Sequence, residues 1–190
     1  LPKWKPANYT KKFYGPSPMR LGIEKSRNLM TVRLAQTIGM EKVIETAARL
    51  GIVDNLPNQL SMALGAGETT LLDITTGYSM LVNGGKKIVP TFIDRVQDRH
   101  GRTIWRQDDR PCEGCRNQFW KVDKPVPVLP DTRQQVVNPA SAYQVVSMLQ
   151  GVVERGTGRR IKAVGKPLAG KTGTTNNGFD TWFVGFSPDL

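Results

Sequence analysis

The sequence predicts an α+β domain in which helices pack on a mostly antiparallel sheet. Two observations predict it. Apolar residues recur at helical spacing through much of the first half, and again in one strong segment after Asn138. Strand-like runs joined by turn signals occupy the middle and the end, where Asn176-Asn177-Gly178 separates two short β-rich stretches. The length of 190 residues suits one domain, with enough chain to bury a substantial core.

Taken in order, residues 1–16 are rich in Pro and Lys and carry Trp4, Tyr9, Phe13 and Tyr14, so they read as an irregular lead-in. Ser17-Pro18 reads as an N-cap followed by Pro at the first helical position, opening a short helix to about Lys25. A second helix is expected from about Asn28 to Ile38. A third has Met40, Val43, Ile44, Ala47 and Ala48 on one face and stops at Gly51. Residues 52–68 read as a loop. Thr70 with Asp73 resembles a capping box, and the helix it opens runs to Val82 before Asn83-Gly84-Gly85. Lys87 to Gln97 and Arg102 to Gln107 are strand-like, joined by the turn signal Asp98-Arg99-His100-Gly101. Residues 108–135 are proline-rich with little periodicity and read as an excursion. Asn138-Pro139 opens the clearest helix, with Ala142, Val145, Val146, Leu149, Val152 and Val153 on one face and Gly156 at its end. Strands follow from Pro167 to about Thr175 and from Thr181 to Ser187.

Lys and Arg total 27 against 16 Asp and Glu, a formal net charge of +11. Such a balance favours anionic partners in general. The basic residues are dispersed, however, and their densest groups, at Lys11-Lys12, Arg95 to Arg110 and Arg155 to Lys166, are interleaved with acids or glycines. None forms a basic helical stripe with aromatics, so the reading is a basic soluble surface and no nucleic-acid partner. No apolar run is long enough to span a membrane. The chain opens at Leu1-Pro2-Lys3-Trp4 and closes at Ser187-Pro188-Asp189-Leu190, as expected of a piece of a longer protein. Cys112 and Cys115 form one C-x-x-C in a loop. A zinc site needs about four ligands, and His100 lacks the spacing to join them. A short structural disulfide and two free thiols both stay open. A disulfide would imply an oxidising compartment.

Chemistry is concentrated in Gly170-Lys171-Thr172-Gly173-Thr174-Thr175, on a strand heading into a turn. Alternation sends Lys171 and Gly173 one way, and Thr172 and Thr174 the other. A lysine beside two hydroxyls suits a carboxylate, and Gly173 lets a substrate approach the backbone. The run from Gly165 to Thr172 also matches the P-loop pattern, but Pro167 and the strand–turn–strand context argue against phosphate binding. The second signal is Ser26-Arg27-Asn28 between two helices. Ser26 or Asn28 is by itself a plausible cap for the next helix. S-x-N followed by K-T-G is a different matter, because these are two of three motifs that recur in serine acyl-transferases.

On these residues the sequence resembles the transpeptidase domain of class A, high-molecular-mass penicillin-binding proteins. Trp4-Lys5-Pro6-Ala7-Asn8-Tyr9 and Glu24-Lys25-Ser26-Arg27-Asn28 resemble the S-x-N motif and its approach. Ala63-Leu64-Gly65-Ala66-Gly67-Glu68, the helix ending Val82-Asn83-Gly84-Gly85, the K-T-G strand and Asp180-Thr181-Trp182-Phe183-Val184-Gly185-Phe186 follow in family order. The resemblance covers nearly the whole chain and least well the excursion around Cys112 and Cys115. It implies a penicillin-binding protein/β-lactamase-like fold, incomplete at both ends, so that residues 1–190 are a partial transpeptidase domain. It implies cross-linking of peptidoglycan stem peptides through an acyl-serine intermediate, acylation by β-lactam antibiotics, and no metal or other cofactor. Ser26 would relay a proton to the leaving amine, and Asn28 would hold the substrate amide and the neighbouring lysine. Lys171 would supply positive potential and hydrogen-bond Ser26. Thr172, Gly173, Thr174 and Thr175 would bind the substrate, Thr172 and Thr174 by its terminal carboxylate. The location implied is the periplasmic face of the inner membrane, with a membrane-anchored parent.

One family motif is missing. No serine of the chain has Lys three places on; Ser26 is followed there by Leu29. The S-x-x-K nucleophile therefore has to come from outside this chain, and the alternative expectation is a noncatalytic module that binds cell-wall peptide or a partner.

Overall fold

The computed structural model describes residues 4–112, 123, 125–175 and 178–188. These form two compact units, one of Leu1–Ile88 with Gln135–Leu190 and one of Val89–Gln134.

In the larger unit α1 spans Met19–Glu24. Its N-cap is Pro18, and no side chain caps it. Ser17, expected in that place, instead donates its hydroxyl to the Gly15 carbonyl at 3.1 Å. Helix α2 covers Asn28–Ile38, and Gly39, at φ 90°, separates it from α3, Met40–Arg49. A 3-10 helix, Leu60–Leu64, lies in the expected loop and ends on left-handed Gly65. Helix α4, Leu71–Val82, starts as expected: the Thr70 hydroxyl accepts from the Asp73 amide at 3.1 Å and donates to the Asp73 carboxylate at 2.6 Å.

Helix α5, Pro139–Glu154, is capped by Asn138, whose side-chain oxygen accepts from the amides of Ala140 and Ser141 at 2.9 and 3.3 Å. Ala142, Leu149, Val152 and Val153 of the expected stripe are buried, joined by Met148 and Gly151. A second 3-10 helix, Arg159–Val164, follows.

The strands of this unit are paired last in the chain. We number β1 and β2 in the smaller unit, so these are β3, Ala169–Thr174, and β4, Thr181–Phe186. They run antiparallel in unbroken register from Ala169 opposite Phe186 to Thr174 opposite Thr181. Asn176 and Asn177 of the expected turn lie outside the described residues. Two buried clusters hold the unit. Leu50, Met80 and Val136 pack with Ile52, Ile88 and Val137. Leu149 and Val152 of α5 pack with Ala169 of β3, and Ile23 of α1, Tyr78, Val145 and Phe186 close around them. Helix α1 and strand β3 thus share α5 as a common support.

The smaller unit holds a hairpin of β1, Arg95–Gln97, and β2, Thr103–Arg106. Its turn is closed by Asp98, which accepts from the amides of His100 and Arg102 at 2.8 and 2.9 Å and from the Arg102 guanidinium at 2.7 Å. These bonds hold the Asp98 carboxyl below its ordinary range. The first strand was expected from Lys87 but begins only at Arg95. Upstream of it the Asp94 carbonyl still accepts from the Gln107 amide at 2.8 Å, but Pro90 offers no ladder N–H, and Val89 and Phe92 stay exposed. Cys112 is disulfide-bonded, and Cys115 lies outside the described residues.

Candidate functional site

The site begins with how α1 ends. The Arg27 amide reaches back to the Gly22 carbonyl at 2.8 Å, and the Ser26 amide to the Ile23 carbonyl at 3.1 Å. Those two bonds are the Schellman closure, whose central residue takes a left-handed backbone and is usually glycine. Ser26 occupies that place with φ 50°. A residue with a Cβ is disfavoured there by about 1–2 kcal/mol. The strained turn lifts the Ser26 hydroxyl out of the helix and toward β3.

Lys171 meets it. Its Nζ donates to Ser26 Oγ at 2.8 Å and to the Thr172 carbonyl at 2.8 Å, although Ser26 and Lys171 are 145 residues apart in sequence. Among the described residues no carboxylate pairs with Lys171. Burial alone pushes its pKa below the ordinary lysine value of 10.5. An ammonium carries three N–H donors, and two are used here, so one is left for a ligand. The Ser26 oxygen accepts from Lys171, which leaves the single Ser26 proton to donate onward.

Asn28 stands at the first position of α2. Its side-chain amide donates to the Ala7 carbonyl at 2.9 Å, and no hydrogen bond joins it to Lys171 among the described residues. Neither Ser26 nor Asn28 caps α2. Asn8, from the lead-in, does so: its buried side-chain oxygen accepts from the Leu29 amide at 3.2 Å, and its Nδ2 donates to the Lys12 carbonyl at 3.2 Å. Arg27 completes this attachment by donating to Thr10 Oγ1 and to the Lys12 carbonyl, both at 2.9 Å, while its guanidinium lies 3.8 Å from the centre of the Tyr14 ring. The lead-in is therefore fastened to the turn that carries Ser26.

On β3, Thr172 Oγ1 lies 2.6 Å from Thr157 Oγ1. Gly173 and Thr174 are exposed, and nothing lies within 4 Å of where a Gly173 Cβ would stand. The Thr175 hydroxyl accepts from the Asp180 amide at 2.8 Å, while the Thr175 amide donates to the Asp180 carbonyl at 3.0 Å. Thr175 thus ties off the hairpin. Of the residues expected to share a site, Ser26, Lys171 and Thr172 are connected by direct bonds. Asn28 lies at the start of the adjoining helix, and Thr174 lies along the open strand.

Sequence reasoning missed the clamp beneath them. Glu24 is buried, and its carboxylate takes both arms of Arg155, Nη2 at 2.6 Å and Nε at 3.0 Å. Arg20 approaches it at 3.8 Å. The Lys25 ammonium donates to the Arg155 carbonyl, and the Thr157 amide donates to the Glu24 carbonyl at 3.1 Å. The end of α1 is so close to α5 that a Cβ at Gly151 would collide with the Glu24 carboxylate, and one at Gly156 with the Glu24 carbonyl. Two signals were present: an acid within a buried helical turn, and a threonine bracketed by Gly156 and Gly158 after the strongest helix.

The family model described as penicillin binding protein transpeptidase domain matches residues 2–189. Over its full length the chain is 46% identical to penicillin-binding protein 1A of Rickettsia bellii, and 98% of it is 32% identical to penicillin-binding protein 1A of Pseudomonas aeruginosa. The chain spans about a quarter of those relatives, 24% and 26% of their respective lengths. Among solved structures, penicillin-binding protein 1A from Haemophilus influenzae superposes with a TM-score of 0.77 at 28% identity, over 96% of this chain and 30% of that one. PonA1 from Mycobacterium tuberculosis gives 0.73 at 21% identity, over 96% of this chain and 48% of that one, and shares the fold.

Proposed function

The chain belongs to the penicillin-binding protein transpeptidase domain family, and from that premise we propose that it is part of a peptidoglycan D,D-transpeptidase. The parent enzyme takes a serine nucleophile from a segment outside this chain, since no serine here has lysine three places on. That serine attacks the carbonyl carbon of a D-Ala–D-Ala bond. An ester forms, the C–N bond breaks, and the leaving amine needs a proton. Ser26 delivers it. Lys171 holds the Ser26 oxygen as a donor, so the Ser26 proton faces the reacting amine and not the lysine. The amine of a second stem peptide then attacks the ester, returns the serine and completes the cross-link. A β-lactam follows the first half of this path, with its ring nitrogen in place of the leaving amine.

Thr172 and Thr174 hold the terminal carboxylate, and the unused Lys171 proton adds charge to that hold. Gly173 keeps the strand open to the substrate backbone, and the Thr174 amide is an oxyanion donor. Asn28 orients the substrate amide. The chemistry assigned here uses no metal or other cofactor. The partners are stem peptides and β-lactams, the setting is extracytoplasmic in a membrane-anchored parent, and residues 1–190 form part of one transpeptidase domain. Among the described residues no helix is long and apolar enough to cross a membrane.

The observation that carries this reading is the 2.8 Å contact from Lys171 Nζ to Ser26 Oγ. The test is covalent labelling by a fluorescent penicillin. The full-length protein should label, and Lys171→Ala should slow labelling at least ~100-fold, the loss of roughly 3 kcal/mol of transition-state stabilisation. The 190-residue chain alone should gain no covalent mass. A stoichiometric adduct on one of its serines would mean that the nucleophile lies in this chain after all. The missing S-x-x-K favours one second reading, a noncatalytic peptide-binding module, and a full-length protein that never labels would favour that module.

A further inference from the structure

We propose that Thr157 is a positioning residue for carboxylate recognition, acting through Thr172. The inference rests on the reading of Thr172 as a carboxylate ligand. It starts from the protons available. Two hydroxyl oxygens 2.6 Å apart share one hydrogen bond, and either can donate it. A carboxylate can only accept. Once one is bound at Thr172, the sole Thr172 proton must point to it, and the bond to Thr157 survives only if Thr157 is the donor. Thr157 therefore fills the Thr172 acceptor site, fixes the Thr172 rotamer and leaves its proton free for the ligand. Without Thr157 the Thr172 oxygen is left to mobile water and its hydroxyl is free to turn away.

The geometry is built from outside the strand. The Thr157 amide donates a hydrogen bond to the Glu24 carbonyl at 3.1 Å, and the Gly158 amide donates one to the Val152 carbonyl at 2.9 Å. Glu24 is in turn gripped by the Arg155 fork. Its chain position, two residues before Ser26, ties the carboxylate end of the groove to the proton-relay end. The Thr157 hydroxyl is exposed and not part of the core, so its removal should leave the fold intact.

The test uses the full-length protein and two probes, a penicillin with its free carboxylate and the methyl ester of the same penicillin. An ester oxygen carries no full charge and makes a weaker acceptor, so the acid-to-ester ratio of acylation rates measures carboxylate recognition within each variant. That ratio is independent of the fraction of active protein. Thr157→Val should lower it by roughly 10-fold, the cost of one lost hydroxyl hydrogen bond. Thr157→Ser should restore it, because serine supplies the same donor. An unchanged ratio in Thr157→Val, or equal losses in the Val and Ser variants, overturns the proposal. If Thr157→Val melts markedly lower than the unsubstituted protein, Thr157→Ala is judged by the same ratio and the same two outcomes. A full-length protein that is acylated by neither probe fails the transpeptidase reading itself and removes the ground of this proposal with it. Normal acylation with equal acid and ester rates fails the carboxylate site alone.

Discussion

Ser26 carries two opposed demands, and a pair of substitutions separates them. Its φ of 50° sits in the slot of the α1 closure where glycine is favoured. Ser26→Gly and Ser26→Ala both delete the hydroxyl and its 2.8 Å bond to Lys171. They differ only in the backbone: glycine releases the left-handed strain and alanine keeps it. The Gly variant should therefore be more stable than the Ala variant by about 1 kcal/mol. In a domain of this size that is a gap of roughly 2–4 °C in melting temperature. Against the unsubstituted protein, Ser26→Ala should lose stability. Ser26→Gly should stay close to it, because the relieved strain offsets the lost hydrogen bond. Differential scanning calorimetry of the full-length protein reads the gap. Penicillin acylation should meanwhile fall ~100-fold or more in both variants alike, the usual contribution of a positioned proton donor. Equal melting temperatures, or a more stable Ala variant, would refute the strained turn. Acylation within a few-fold of normal in either variant would refute the relay.

Three further outcomes follow from the same contacts. Burial lowers the Lys171 pKa, so between that value and 10.5 the unfolded chain binds more protons than the folded one; stability should rise with pH across this window, and Lys171→Met should flatten the slope in urea titrations. Glu24 is buried while Arg155 is about half exposed, so Arg155→Met, which leaves the buried carboxylate with Arg20 at 3.8 Å, should lower the melting temperature more than Glu24→Gln, which leaves a guanidinium that water can reach. Asn8→Ala removes the borrowed cap of α2 and should cost about 1 kcal/mol in chemical denaturation, with an accompanying loss of acylation because the same segment borders Ser26 and Asn28.

What the sequence revealed depends on how local each signal is. Helix α5 announces both its cap and its buried stripe within sixteen consecutive positions, and α4 announces its start through the Thr70–Asp73 capping box. The two 3-10 helices leave no mark in the sequence, since five or six residues hold too few turns to show an apolar face. The cap of α2 was invisible because Asn8 lies 21 residues from the amide it satisfies, and no periodic rule joins them. In the sequence, only the family resemblance pairs Lys171 with Ser26. Their individual spacing says no more than that a basic strand and a helix boundary exist.

The joining of such distant residues has a physical basis in α5. Its buried face receives Ile23 of α1 on one side and Ala169 of β3 on the other, around Leu149 and Val152. Apolar packing of this kind is strong but tolerant of small slides, and a 2.8 Å hydrogen bond is not. The polar contacts supply the registration. The Glu24–Arg155 fork, the Lys25 bond to the Arg155 carbonyl and the Thr157 bond to the Glu24 carbonyl all fall within a few residues of Ser26. None is needed to bury surface, and each fixes the end of α1 against the end of α5. The glycines at 151 and 156 permit that approach, because any side chain there would occupy the space Glu24 takes. The hydrophobic face of α5 thus sets which elements meet, and the clamp at its end sets the ångström-scale placement that the Ser26–Lys171 contact requires.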